Sequence, residues 1–394
     1  MGSSNSEDSK HSHITVVITP EDLYAACTTA CTPERCDNAT VRPLEPPLVE
    51  RGQPGQLIPF EVAKRDPVIR DLPATPIDLL FRYILSTDSR SIYKRLETIY
   101  EPGNDLTVDE AMVRFTGRSL ETTTIPQKPT PTDYKVWVLG QSGYFVRWLW
   151  HVHGRGPCGL VPQQRSRQGD EEVAEEHLTP TQRVVTSLLT LLPLAVYHVF
   201  LVNLFASVKL FKALRSSQVG AAGTCRKDSG VDELLVAEKD REGKGIPWGQ
   251  MHCIPTNDGK VNQFSWKDNA LVLFLTTVFR EGNQVIRSRQ WPAGSSAANR
   301  AAREVFGSEL GKDLRVPLGI DEYSHHTNGV DTGDQLRSYN QYSRPIRRGG
   351  WQSIAWNFLL EVILVNSFLL QSGVSQSGRP SRANTNGGDT YLPN

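Results

Sequence analysis

The sequence has 394 residues, with 43 Lys+Arg against 43 Asp+Glu, long enough for a large core or for two domains. Zero net charge argues against a protein coated in basic surface, but leaves room for a local basic groove. The six cysteines contain no C-x-x-C pair, so neither a zinc site nor a disulfide framework is indicated, and Cys27, Cys31 and Cys36 are read as reduced thiols.

The N-terminus has no apolar stretch of the signal-peptide kind. Residues 1–74 are rich in Pro, Ser, Thr and charge and read as a disordered or poorly packed arm. Thr75–Leu85 reads as a short helix with Thr75 as cap and Pro76 at its first position, and Ser91–Tyr100 as a second helix. Strands are expected at Leu106–Phe115, Lys135–Leu139 and Gly143–Val152. The last two form a hairpin through Gly140-Gln141-Ser142. The aromatic run Tyr144–Trp150 is apolar on both faces, as in a central strand, and is read as core rather than a base-stacking platform.

A polar loop follows, with the acidic run Gly169–Glu176 as a solvated connection. Thr179-Pro180-Thr181-Gln182 is a capping box opening a helix to about Leu192. Tyr197–Asn203 reads as a buried strand, Val208–Arg215 as a helix capped by Ser207, and Gly220–Arg226 as a strand. Val261–Trp266 and Ala270–Phe279 read as a pair joined by a Lys267-Asp268-Asn269 turn, which gives Asp268 turn chemistry. Residues 281–320 are poorly patterned. Tyr323–Tyr342 and Gly350–Ser372 read as helices, and the tail from Ser375 as disordered.

Leu188–Phe205 and Trp351–Leu370 mimic membrane spans, but each carries buried polar residues, including Glu361 in the second. An unpaired Glu in mid-membrane is costly, so both are read as core elements of a soluble protein. Trp351, Trp356, Phe358 and Leu359 are expected to be largely buried. The element order implies an α/β layered domain of RNase H-like arrangement: a mixed sheet flanked by helices, with a β-rich insertion at about 227–320.

The acids carry the chemistry. Asp331 and Asp334 are spaced i, i+3, which on a helix puts both carboxylates on one face. Asp109 lies in an apolar, partly β-branched run that reads as a strand. A strand acid facing two helix acids is a common way to hold divalent metal ions for phosphoryl transfer.

Several stretches resemble the DDE domain of piggyBac-family transposases, most closely fungal members and piggyBac-derived proteins. They are Val108–Ser119 (VDEAMVRFTGRS), Ile125–Pro129 (IPQKP), Tyr197–Phe205 (YHVFLVNLF), Ser265–Asn269 (SWKDN), Asn328–Gln335 (NGVDTGDQ) and Arg347–Trp351 (RRGGW). The resemblance runs from about Thr75 to Leu370. It implies an RNase H-like fold, DNA excision and insertion with two divalent metal ions, DNA as partner and a nuclear location. It makes Asp109, Asp331 and Asp334 the ancestral catalytic acids, with Mg2+ on Asp109 and Asp331. Lys128, Arg347 and Arg348 become candidate phosphate contacts.

The sequence departs from the family at the second acid. Family members have Asp directly before the Asn that matches Asn203; here that residue is Val202, which cannot coordinate a metal. By the strand period of two, His198 shares its face, but imidazole is a poor ligand for magnesium and His198 is read as core. Glu110 is expected on the face opposite Asp109. Residues 75–104 read as a remnant of the family's longer N-terminal helical region, 105–372 as the DDE-derived domain, and no terminal zinc module is expected because no cysteine follows Cys253. The reading is a degenerate or domesticated piggyBac-derived domain without transposase activity, holding no tight metal; the alternative is an active metal-dependent strand-transfer enzyme.

Overall fold

The computed structural model describes residues 48–50, 57–70, 99–115, 122–124, 132–152, 156–158, 178–268, 270–291, 303, 305–339 and 351–377. Its strands are, in chain order, β1 Leu48–Glu50, β2 Val68–Ile69, β3 Tyr100–Glu101, β4 Asp105–Arg114, β5 Thr123–Thr124, β6 Thr132–Gln141, β7 Tyr144–Val152, β8 Gly156–Cys158, β9 Tyr197–Leu201, β10 Val219–Thr224, β11 Met251–Cys253, β12 Asn262–Lys267, β13 Leu271–Thr276, β14 Gln284–Gln290 and β15 Gly311–Pro317. The helices are α1 Pro180–Leu189, α2 Val208–Ser216, α3 Glu233–Asp240, α4 Leu318–His326, α5 Gly329–Tyr339 and α6 Trp351–Ser377. The expected helices at 75–85 and 91–100 lie largely or wholly outside the described residues, as do the 153–177 loop, apart from β8, and the 378–394 tail.

The main sheet runs β1-β11-β12-β13-β10-β9-β4-β6-β7-β8, with β5 on β6. Its centre is parallel where β4, β9 and β10 meet and antiparallel where β4, β6 and β7 meet. Counting from β4, the run β7-β6-β4-β9-β10 has the order 3-2-1-4-5. That is the RNase H-like arrangement expected from the sequence, with β11 to β15 as the β-rich insertion.

Local chemistry explains most elements. Thr179 caps α1 through the Gln182 amide while the Gln182 side chain returns to the Thr179 amide, completing the capping box. Ser207 caps α2. The β6–β7 turn is Ser142-Gly143, one step later than expected, and both residues have positive φ (49° and 92°), as a two-residue hairpin turn requires. On β7, Tyr144, Phe145, Val146, Trp148 and Leu149 are all buried. Phe358 of α6 meets the rings of Phe145, Trp148 and Trp150 edge-on, which makes this strand core.

One apolar cluster joins Leu106, Val108, Val199 and Leu201 of β4 and β9 to α1 and α2; a second lies beneath α4 and β15, around Phe200, Phe264 and Phe274. Cys225 is half-buried, and burial pushes its thiol up to about 12, which disfavours the thiolate. Cys253 is buried and bonded to Asn262.

Several expectations need correction. Part of the supposed arm packs on the sheet: Leu57 is buried, Ile58 N–H donates to the Gly259 carbonyl, and Phe60 N–H donates to the Thr277 carbonyl. Trp356 is 46% exposed, whereas Phe358 is buried and Leu359 half-buried. The helix expected at 323–342 is two helices, broken at Thr327–Asn328. Thr and Asn side chains compete with the helical ladder, and Gly329 is a poor helix former. α6 is long and apolar enough to cross a membrane by length and composition alone, but its Asn366 and Glu361 are buried against protein partners.

Candidate functional site

β4 and β9 run parallel, with Val108 opposite Leu201 as their last paired residues. Asp109 is the next residue of β4, and Val202 is the first residue past β9. Asp109 is half-buried, and its Oδ1 accepts the Glu110 N–H at 2.8 Å. Glu110 turns to the other face, where it pairs with Lys135 at 3.0 Å, as the strand alternation requires. Val202 lies past the end of β9. It is half-buried against the apolar cluster of Val199 and Leu201, and its carbonyl accepts the Phe205 N–H in a tight turn. Strand alternation therefore does not carry the His198 face to Val202. His198 instead packs with Phe200 and Phe279 and bonds Asp105 at 3.3 Å.

α5 lies along β4 on the Asp109 side. At its start, a Cβ on Gly329 would fall 2.6 Å from Thr107 Cγ2, and one on Gly333 would strike the Gly143 carbonyl. Only glycine permits this approach. The Thr107 hydroxyl donates to the Thr327 carbonyl at 3.2 Å, and Gly143 N–H donates to the Gly329 carbonyl at 2.8 Å. Near its end, Arg337 donates to the Met112 carbonyl of β4. Asp109 thus lies on the stretch of β4 that α5 spans. Asp331 sits in the first turn of α5 and is exposed; Asp334, one turn on, is half-buried.

Sequence reasoning did not find the partner of Asp334. Its Oδ1 accepts Arg337 Nε at 2.9 Å and Nη2 at 2.7 Å. The i, i+3 spacing of Asp334 and Arg337 was the available signal. Nor did it find the group at the start of β4, about 13 Å from Asp109 by strand rise. There Asp105 bonds His198 and stands 4.0 Å from His326, which pairs with Glu322 at 3.2 Å. Lys128, Arg347 and Arg348 lie outside the described residues.

A family model described as Transposase IS4 matches residues 89–368, well over half of the chain. The chain belongs to this transposase family. It carries a DDE transposase domain of the piggyBac type. Among solved structures it is similar to a piggyBac transposase in a synaptic complex with hairpin DNA, seen by cryo-electron microscopy. The identity is 20% and the TM-score 0.52, over 77% of this chain and 55% of that one. At that identity the likeness bears on the fold, and this transposase domain spans about 55% of the length of that protein.

DDE transposases work with divalent metal ions. The residues in this transposase domain do not fit a two-ion centre. Val202, the residue that the resemblance sets at the second acid, is an apolar side chain packed on the core, and Asp334 is engaged by Arg337. Among the described residues no group of three or more His, Cys, Asp or Glu side chains could hold a metal ion.

Proposed function

We propose that this chain is a piggyBac-type transposase domain that has lost strand-transfer chemistry and retains DNA binding. The observation that carries the loss of chemistry is Val202, the first residue past β9, where the pairing of β9 with β4 stops one residue short of Asp109. Two-ion phosphoryl transfer needs carboxylates on both ions, and valine puts a methyl-bearing wall where a hydrated cation belongs. DNA binding is supported by the family and by the hairpin DNA of the similar piggyBac complex. Lys128, Arg347 and Arg348 are the proposed phosphate contacts, and the nucleus the proposed location.

Incubating the purified chain with transposon-end duplexes and Mg2+ or Mn2+ tests the chemistry. No cleavage or joining is expected. Metal-dependent cleavage abolished by Asp331→Ala would instead make this an active transposase with an unrecognised second acid. For DNA binding, fluorescence anisotropy with a labelled duplex at several salt concentrations is decisive. Replacing Lys128, Arg347 or Arg348 with Gln should weaken binding across sequences and lower the salt slope by about one per contact. Identical salt slopes in all variants would remove those contacts, and a tagged chain excluded from nuclei would remove the location.

A further inference from the structure

Asp331 and Asp334 share a helix, and the i, i+3 spacing treats them alike, but their surroundings differ. Asp331 is exposed, while Asp334 lies against a guanidinium that is itself buried, Arg337 being 6% exposed. Arg337 donates Nε and Nη2 to Asp334 Oδ1, Nη1 to Glu361 Oε2 of α6 at 2.6 Å, and Nη2 to the Met112 carbonyl of β4. Its guanidinium carbon also lies 5.5 Å from the centre of the Phe358 ring. One side chain thus ties α5 to the sheet and to α6. Burial opposes the Arg337 charge, and the Asp334 and Glu361 carboxylates more than offset it, holding its pKa above the ordinary value. Were Asp334 to turn to a metal ion, a buried guanidinium would lose its principal counter-ion, which is strongly destabilising. A cation on the other oxygen of Asp334 would stand within a few ångströms of that like charge.

We infer that Asp334 is a positioning residue rather than a metal ligand: with Arg337 it forms a latch that holds α5, and the Asp331 it carries, along the Asp109 stretch of β4. This rests on reading α5 as the acid-bearing helix of a DDE domain, and is indifferent to whether the chain cleaves DNA.

The test uses the full chain. Amide hydrogen exchange is followed in α5 and, as an internal control, in β13 for Asp334→Asn, Arg337→Met and the double variant. Each single variant should speed exchange across α5 by about tenfold or more while β13 is unchanged, and the double should be no worse than either single. The second readout is Mn2+ binding by calorimetry and electron paramagnetic resonance on a Val202→Asp background. There Asp331→Asn should abolish binding. Asp334→Asn should keep the stoichiometry and alter the Mn2+ line shape, a change that a residue serving stability alone would not produce. Unchanged α5 exchange in Asp334→Asn overturns the inference. So does loss of Mn2+ by Asp334→Asn equal to that by Asp331→Asn. If Val202→Asp binds no Mn2+, the exchange result decides alone. DNA cleavage by the native chain would sink the inactive reading and leave the latch standing.

Discussion

Asn366 does the work of a strand from inside a helix. Among the described residues β8 pairs with Trp150–Val152 of β7, and Phe145 lies next to the hairpin turn, far from that pairing. The Asn366 amide takes the Phe145 N–H on Oδ1 and gives its Nδ2–H to the Phe145 carbonyl, each at 2.9 Å. Asn366 is fully buried, so removing it leaves two backbone groups without a partner or water. Asn366→Leu should therefore cost about 1–3 kcal/mol for each orphaned group, read as a lower denaturant midpoint at constant slope. A midpoint equal to wild type would show that β7 is satisfied in some other way. Glu238 makes the same point about polar burial. It is buried on α3, accepting His252 at 2.6 Å and Ser265 at 2.6 Å. A charged residue in a short segment reads as surface, and partners on distant strands make it core.

At the scale of elements, α4 joins several parts of the fold. Arg287 of β14 grips Asp321 with both arms at 2.8 Å, Tyr323 touches Thr224 of β10, and His326 lies between Glu322 and Asp105. Burial works against the charge of Asp105, but the hydrogen bond and charge of His198 and the charges of His326 and Lys64 outweigh it, so its carboxyl titrates below its ordinary 3.8. The hydrogen bond from His326, helped by its charge, likewise draws Glu322 below its ordinary 4.5, against the opposing pull of burial. Groups depressed in the folded state contribute stability above their unfolded pKa and lose it as pH falls toward the folded value. The melting temperature should therefore drop as pH falls from about 5 to about 3, and Asp105→Asn should flatten that slope. An equally steep profile in the variant would mean that the Asp105–His198–His326 contacts do not couple to folding. The magnitude stays modest because both carboxylates are partly exposed.

For the whole molecule, the stretch 57–70 changes what counts as the domain. It is not a free arm: Leu57 is buried, its neighbours bond the turn between β11 and β12 and the residue after β13, and Asn104 N–H donates to the Arg65 carbonyl just ahead of β4. A chain starting at residue 71 should melt several degrees lower than the full chain, since it loses the backbone bonds of Ile58, Phe60, Arg65 and Arg70 and a buried Leu, together worth roughly a few kcal/mol. A chain starting at residue 47, which keeps β1 on the edge of the sheet beside β11, should melt like the full one. Equal melting of all three would return 57–70 to the status of an arm.

The sequence by itself determined the central elements. β4, β6, β7, β9, β10, α1 and α2 announce themselves through apolar runs, capping residues and a glycine turn, all of which act within a few residues. It also placed Asp109 on a strand and Asp331 and Asp334 on a helix. Tertiary structure alone decided the rest. β14 is a polar, largely exposed run, QVIRSRQ, that becomes a strand only because Leu314 and Val316 of β15 are buried beneath their pairing. α3 is helical around a buried Glu238 whose partners lie on β11 and β12. The helix at 323–342 breaks where the Thr107 hydroxyl, 220 residues away, reaches the Thr327 carbonyl. Asp334 looks like a ligand until Arg337 is seen bonded to Met112, 225 residues upstream. Local periodicity records which face of an element is apolar. It does not record which distant polar group will meet a buried charge, because that depends on how the elements pack, and there the roles of Asp331 and Asp334 diverge.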